Sequence, residues 1–249
     1  MTVPESNTAT PRILVSLCTY NERENIELLL PEIRQHLPQA DVLVVDDNSP
    51  DGTGNYVREL QAASPWLKLI SRAGKLGLGT ATVAAFQFAI AQQYDLLVNL
   101  DADFSHPPRF LPDLVAAAAT SDVIIGSRYV PGGSIEGWGP VRHFMSQGIN
   151  LYARCLLGLK TRDNSGAFRC YRVPRLCEVD WSASRAKGYA FQEEILFRLK
   201  QLGCTFTEVP IHFAERRYGQ TKINWKEAVS AGIVLWQIRL ESFLPGRKS

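Results

Sequence analysis

An α/β protein with a mostly parallel sheet, helices on both faces and an amphipathic C-terminal helix is what this sequence predicts. Three observations carry that prediction. Short apolar runs alternate with amphipathic stretches through the first half of the chain, the pattern of strand–helix–strand units. Two of those runs end in paired acids, Val45-Asp46-Asp47 and Leu100-Asp101-Ala102-Asp103, and open α/β sheets take ligands at the C-terminal ends of their strands. The last strong pattern, residues 225–244, carries Ile233, Val234, Trp236, Ile238, Leu240, Phe243 and Leu244 among few charges, a helix with a broad apolar face.

The elements follow in order. Strands are expected near residues 13–17, 42–45, 67–70, 96–100 and 123–125, with helices near 24–36, 54–62, 80–92 and 108–118. Pro107-Pro108 suits a helix start, where a missing N–H costs little. Residues 130–140 are rich in Gly and Pro and read as turns. Beyond them a helix is expected over 142–157, a strand over 167–173, a helix over 191–202 and a strand over 205–213.

Length and composition set bounds on function. The chain has 249 residues, 45% apolar and 21% charged, with a net charge of +2. These values fit one soluble globular domain. So small a charge gives no general affinity for polyanions, and no nucleic-acid partner is expected. The five cysteines are odd in number and form no Cys-x-x-Cys pair, so free thiols in a reducing compartment are expected. Residues 1–11 carry no basic or apolar leader and read as a disordered tail. Residues 12–249 read as one domain, with a nucleotide-binding half over 12–127 and an acceptor-binding half over 128–249.

The chemistry lies at strand ends. Asp101 and Asp103, one residue apart, repel unless protons or a cation hold them. A hard divalent cation that takes phosphate oxygens as its other ligands is the usual holder. In Thr19-Tyr20-Asn21-Glu22, Asn21 suits a helix cap, leaving Tyr20 to stack on a base or sugar and Glu22 to accept from ribose hydroxyls. Asn48 through Thr53 are turn residues, but the turn leaves Asp46 and Asp47 unexplained. Residues 75–81 lack the endings of both a Walker loop and a dinucleotide fingerprint and read as a tight strand-to-helix turn. Arg142 and Ser146, four apart, share a helix face. With Arg128 they suit an anion, although an ordinary surface arginine pair fits the spacing equally. Glu215 through Lys222 place basic groups around Gly219, as in a loop closing over phosphates. His36, His106, His143 and His212 lack metal-ligand spacing and receive no catalytic role.

Several segments together resemble the family 2 glycosyltransferases, which have a Rossmann-like GT-A fold. They are Thr19–Glu22, residues 45–53, Asp101 through Pro107, Gly126 through Tyr129, Ser165 through Arg169, Glu208 through Ile211, and Arg216 through Lys222. Their order, with Arg128-Tyr129 followed by Gly132-Gly133 and Trp138, points within the family to the dolichol-phosphate, or polyprenol-monophosphate, mannose synthases. The resemblance implies metal-dependent, inverting transfer of mannose from GDP-mannose to a polyprenyl phosphate. It implies that Cys18, Tyr20, Glu22, Val45, Asp47, Asp101, Ala102 and Asp103 hold the donor, with Arg216 and Lys222 clamping its diphosphate. It assigns Mg²⁺ or Mn²⁺ to Asp101 and Asp103, with Ser105 where relatives carry a Gln ligand. It assigns the acceptor phosphate to Arg128, Arg142 and Ser146, and makes Asp103, Arg128 and Arg142 the catalytic set. The sequence departs from the commoner pattern at Cys18, where Pro is usual, at Ser105, and at Ala167, which interrupts Ser-Gly-Phe-Arg.

Two other readings fit the same residues. One is a UDP-sugar:polyprenyl-phosphate transferase with the same metal site. The other is a non-catalytic sugar-nucleotide-binding subunit of a membrane glycosylation complex. A polyprenyl acceptor requires a bilayer, yet no stretch is apolar enough to span one. The segment 228–244, about 25 Å long as a helix, is interrupted by Arg239 and Glu241. With Trp236, Phe243, Leu244, Arg247 and Lys248 it suits an interfacial helix, while packing on the sheet explains the same periodicity. The expected location is the cytoplasmic face of a membrane, peripherally bound, a placement compatible with a membrane-spanning partner subunit.

Overall fold

In a computed structural model of the chain, residues 10–184, 190–214 and 225–241 are described. The expected alternation is present. Strands β1 (Ile13–Thr19), β2 (Asp41–Asp46), β3 (Leu67–Ser71), β4 (Leu96–Asp101) and β5 (Val123–Ser127) alternate with helices α1 (Arg23–His36), α2 (Thr53–Gln61), α3 (Leu78–Ala91) and α4 (Leu111–Ala117). The short strand β6 (Ser134–Ile135) comes next, and then the long helix α5 (Pro140–Leu157). The chain continues through β7 (Arg169–Arg172), α6 (Val173–Cys177), α7 (Ala190–Gln201), β8 (Phe206–Pro210), β9 (His212–Phe213) and α8 (Trp225–Glu241).

Seven strands form one sheet in the order β3-β2-β1-β4-β7-β5-β8. All neighbours are parallel except β7, which runs antiparallel to both β4 and β5. Residues 13–17 and 42–46 are buried without alternation, because both faces of a parallel sheet are covered. One face packs on α3, α5, α6, α7 and α8 through residues such as Phe86, Leu157, Leu176, Phe197 and Leu235. The other packs on α1, α2 and α4 through Ile26, Leu29, Val57, Leu111 and Leu114.

Strand order reverses between β1 and β4, and the crevice of an open sheet lies outside the strand ends at such a point. There Cys18 of β1 lies opposite Val45 on one side and Asp101 on the other. The sequence motifs therefore meet at one edge of the sheet.

Three expectations need correction. Asn21 does not cap α1; it lies in the left-handed region at φ 62°, and Glu22 occupies the cap position without a side-chain capping bond. The expected strand over 205–213 divides at Ile211, whose N–H bonds the Ser127 carbonyl. Its first part, β8, joins the main sheet, while β9 pairs with β6 in a separate two-stranded sheet. The expected strand over 167–173 begins only at Arg169, and Val173 opens α6, where Pro174 suits the first turn. Residues 1–9 of the expected tail lie outside the described residues.

Asp46 is a tie point of this edge. It is 2% exposed. It accepts from the Thr19 hydroxyl at 2.9 Å and from the Ser49 N–H and hydroxyl at 3.0 and 2.5 Å. A Cβ on Gly54, in the first turn of α2, would lie 2.7 Å from Asp46 Oδ2. Moving that oxygen breaks its bond from Ser49 N–H. Gly54→Ala is therefore expected to lower stability by about 1–3 kcal/mol, the usual cost of overpacking. Urea unfolding measures it, and an unchanged midpoint would show that Asp46 yields freely.

Candidate active site

The site is built from the ends of β1, β2, β4 and β5. Asp101 closes β4, and its side chain keeps 32% exposure beside the crevice. Asp103 follows in a tight turn and is 4% exposed. Its Oδ1 accepts from both the N–H and the hydroxyl of Ser105. Ser105 thus orients Asp103 directly, a part that the expected ligand list did not give it.

His106 sets the same turn. Its Nδ1 accepts from the Asp101 N–H at 3.2 Å, and its ring lies between Phe168 and Phe213, at centroid distances of 5.2 and 5.4 Å. Burial pushes its pKa below the ordinary value. Nδ1 is thus a lone pair, and its 3.6 Å approach to Asp101 Oδ2 is no ion pair. These contacts hold the turn that carries Asp101 and Asp103.

Two carboxylates at a strand end fit a hard cation. Among the described residues no group of three or more His, Cys, Asp or Glu could hold a metal ion. A cation here must complete its shell from water and a ligand, as Mg²⁺ beside phosphates does. The donor set therefore fits Mg²⁺ or Mn²⁺ bound together with a phosphorylated ligand.

On the β1–β2 side, Asp47 accepts from the N–H groups of Leu76 and Gly77 at 3.0 Å each. Arg72 Nη1 lies 3.0 Å from its other oxygen. Asp46 and Asp47 both have protein partners, so their repulsion needs no ligand to relieve it. The strand-to-helix turn expected over 75–81 lies earlier, at residues 72–77 with Gly77 at φ +94°, and residues 78–81 already belong to α3. Tyr20 is exposed, with Lys75 Nζ 4.0 Å above its ring. Glu22 accepts from Asn25 Nδ2 at 2.6 Å. Burial pushes the Cys18 thiol up to about 12, so it lines the crevice as a neutral group. Val45 and Ala102 are buried there, and all five cysteines are free.

Arg128 has the partner that sequence reasoning missed. Asp163, fully buried, takes its Nε and Nη2 at 2.7 and 2.6 Å and accepts its backbone N–H at 3.0 Å. Burial opposes both charges. The pairing outweighs it, so the arginine is held above its ordinary pKa and the aspartate below. Arg128 Nη2 also reaches Ser165 Oγ at 3.0 Å, and Asn150 of α5 donates to the same oxygen at 3.3 Å. Asp163, Asn164, Ser165 and Gly166 are turn residues, and that composition was the available signal. Nothing in it named Arg128 as the partner.

Arg142 and Ser146 share a face of α5, as expected. Ser146 Oγ accepts from the Tyr129 hydroxyl at 2.7 Å. The Arg142 guanidinium lies 4.0 Å over the Trp138 ring, and that of Arg128 lies 5.5 Å from the same ring. Two cations thus converge on one indole beside Tyr129 and Phe213, an arrangement that favours an anion between them. The structure brings together Asp101, Asp103, Ser105, Arg128, Arg142 and Ser146, with Cys18, Val45 and Asp47 at the neighbouring strand ends. Arg216 and Lys222 lie outside the described residues.

Known proteins share the sequence pattern and the fold. The sequence pattern described as Glycosyl transferase family 2 matches residues 15–176. An undecaprenyl-phosphate mannosyltransferase from Micrococcus luteus is 43% identical over 213 residues, 86% of this chain and 88% of that protein. A polyprenol monophosphomannose synthase from Mycolicibacterium smegmatis is 42% identical over 241 residues, 95% and 91% of the two chains. Among solved structures, a mannosyltransferase from Pyrobaculum calidifontis in complex with GDP-Man and Mn²⁺ superposes with a TM-score of 0.62 at 19% identity. That match covers 97% of this chain and 67% of the other. Glucosyl-3-phosphoglycerate synthase from Mycobacterium tuberculosis, in complex with Mn²⁺, UDP-Glc and phosphoglyceric acid, superposes with a TM-score of 0.65 at 20% identity. It covers 93% and 80% of the two chains. These superpositions establish the GT-A fold, and the extent of the sequence match shows that the chain belongs to glycosyl transferase family 2.

Proposed function

We propose that this glycosyltransferase moves mannose from GDP-mannose to a polyprenyl phosphate, with inversion at the anomeric carbon. The observation that carries the reading is the placement of an acidic pair, Asp101 and Asp103, beside a paired-arginine site on the same sheet edge. An enzyme that joins an anionic acceptor to an anionic donor needs both. The substrates named for the two relatives, and the GDP-Man bound to the Pyrobaculum enzyme, support the same choice. The names of the two relatives favour mannose over a glucose-type sugar, and a transferase over a non-catalytic subunit.

In this reading the nucleotide-binding half, residues 12–127, holds the donor. Tyr20, Glu22 and Asp47 surround the nucleoside beside Cys18 and Val45. Asp101 and Asp103, the latter oriented by Ser105, hold Mg²⁺ or Mn²⁺, which supplies Lewis-acid stabilisation of charge on the leaving diphosphate. The half formed by residues 128–249 takes the acceptor. Asp163 occupies the Nε–Nη2 edge of Arg128, so the phosphate is met by Nη1 together with Arg142 and Ser146. Arg216 and Lys222 clamp the donor diphosphate.

The nucleophile is a phosphate oxygen, whose second pKa is about 6. It is ionised at neutral pH and needs no general base, consistent with the structural part played by His106. Its lone pair forms the new bond to C1 of the sugar as the bond from C1 to the diphosphate oxygen breaks, releasing GDP. The protein supplies in-line placement and neutralisation of the two anions.

The acceptor's lipid tail requires a surface. Helices α5 and α8 pack together, and Tyr152 donates to the Gly232 carbonyl at 3.1 Å. Outward they expose Val141, Phe144 and Leu151 on α5 and Ile233, Trp236 and Leu240 on α8, Phe144 at 79%. Among the described residues no helix is long and apolar enough to cross a membrane. This apolar face is our candidate for peripheral attachment to the cytoplasmic leaflet, with or without a membrane-spanning partner. Phe243, Leu244, Arg247 and Lys248 lie outside the described residues.

Three outcomes are expected. Asp103→Asn lowers transfer at saturating Mn²⁺ by at least about 100-fold, the scale lost even when an outer-sphere metal partner is removed, with an unchanged circular dichroism spectrum. Turnover within a few-fold of wild type would sink the metal assignment. Arg142→Ala raises the KM for polyprenyl phosphate by about ten-fold or more, since a charged hydrogen bond contributes ~1.5–3 kcal/mol. GDP affinity stays near wild type, and equal losses in both would argue against a separate acceptor site. In flotation with anionic liposomes the wild type rises with the lipid, and the double substitution Phe144→Ser and Trp236→Ser leaves most of the protein at the bottom. Equal flotation of the two would remove this face as the anchor.

A further inference from the structure

The short ladder of β6 and β9 lies where the main sheet stops holding its own site together. Asp101 closes β4 and Arg128 follows β5, and β7 stands between those two strands. Two strand spacings put the ends roughly 10 Å apart. Pairing with β7 ends at Asn99 on one side and at Ile125 on the other. The last residues of β4 and β5, which lead into the site, therefore run on past their shared neighbour.

Strand β9 spans that gap. The Phe213 ring, 8% exposed, meets His106 of the acidic turn at 5.4 Å in an edge-to-face arrangement. It meets Trp138 in the same way at 5.4 Å, and the Arg128 guanidinium lies 5.3 Å from its centroid. Contacts of both kinds depend on how the ring is turned, so three neighbours fix its place. The backbone repeats the link. Ala214 N–H donates to the Ser105 carbonyl at 3.2 Å, and the Phe213 carbonyl accepts the Glu136 N–H at 2.9 Å. His106 in turn accepts the Asp101 N–H, and Arg142 stacks on Trp138. Phe213 thus touches Arg128 directly and stands one contact away from Asp101 and from Arg142.

We infer that Phe213 is a positioning residue of the transfer reaction, and that it sets the spacing between the acidic turn and the acceptor arginines. The inference rests on the proposed reading of those two sites and adds to it what keeps them in register. Each site has a support of its own. Ser105 orients Asp103 and Phe168 backs His106, while Asp163 clasps Arg128. Loss of the Phe213 ring therefore leaves either site able to bind its ligand. What it removes is their relative placement. Displacement at the anomeric carbon requires the phosphate oxygen close to C1 and in line with the leaving diphosphate, and a misplacement of about 1 Å can cost ~100-fold in rate. The affinity of each substrate does not depend on that alignment, but the rate of the chemical step does.

The test is Phe213→Leu, which keeps an apolar side chain and removes the ring, assayed well below the melting temperatures of both proteins. Phe213→Met gives the same comparison if the leucine variant does not fold, and Phe213→Tyr retains the ring. For Phe213→Leu the expected result is a fall in kcat of about ten-fold or more. The KM for polyprenyl phosphate, and the GDP affinity measured by calorimetry with Mn²⁺, stay within about three-fold, the pattern of an interaction that serves the transition state alone. Phe213→Tyr keeps kcat within about three-fold of wild type, since its ring makes the same edge and face contacts. An unchanged kcat in Phe213→Leu, whatever its melting temperature, would mark the ring as packing only and overturn the inference. So would a loss of affinity for one substrate as large as the loss in kcat, or a tyrosine variant as slow as the leucine one. If wild type uses another sugar nucleotide or acceptor, the substrate reading fails by itself, and the same comparison with the substrates it does use decides the part played by Phe213. If wild type transfers no sugar, both readings fall.

Discussion

The buried pair between Arg128 and Asp163 is the interaction on which the proposed acceptor side of this molecule depends. It joins the end of β5 to the turn before β7, and through Ser165 and Asn150 it reaches α5. Glu208 of β8 anchors the same turn by accepting the N–H groups of Arg162 and Asp163 at 2.8 and 3.0 Å. A buried ion pair adds little net stability over an apolar one, but loss of one partner costs about 3–5 kcal/mol because the other charge is stranded. The pair therefore acts as a constraint. It fixes the direction of the Arg128 guanidinium and leaves one edge for a ligand.

The strand ends show how an acid-rich edge stays folded. Asp46, Asp47 and Asp103 each have hydrogen-bond donors from neighbouring turns, which give their buried oxygens the partners that burial demands. Asp101 keeps a third of its side-chain surface open. The edge is thus divided between acids that hold loops in place and one that faces the crevice. Asp103 belongs to both groups, because Ser105 aims the carboxylate that the proposed cation site requires.

The same logic extends across the crevice. Arg142 stacks on Trp138 and Arg128 is clasped by Asp163, so two like charges sit close together without long flexible searches. Preorganisation of this kind places the electrostatic cost in folding and leaves little reorganisation for the transfer step. The apolar outer face of α5 is a consequence of the same helix geometry. Arg142 and Ser146 take one side of the cylinder, and Val141, Phe144 and Leu151 take another.

The sequence by itself determined the α/β class, the first five strands within one or two residues, and the strand ends that carry the acids. Apolar runs and helical periodicity are local properties, and so is the spacing that puts Arg142 and Ser146 on one helix face. Only the tertiary structure decided the rest. The insertion of β7 antiparallel between β4 and β5, and the division of the last strand at Ile211, depend on long-range pairing that no local pattern encodes. Asp163 lies 35 residues from Arg128, and nothing in either segment names the other. The protein partners of Asp46 and Asp47 come from turns whose composition was legible but whose donors could not be aimed.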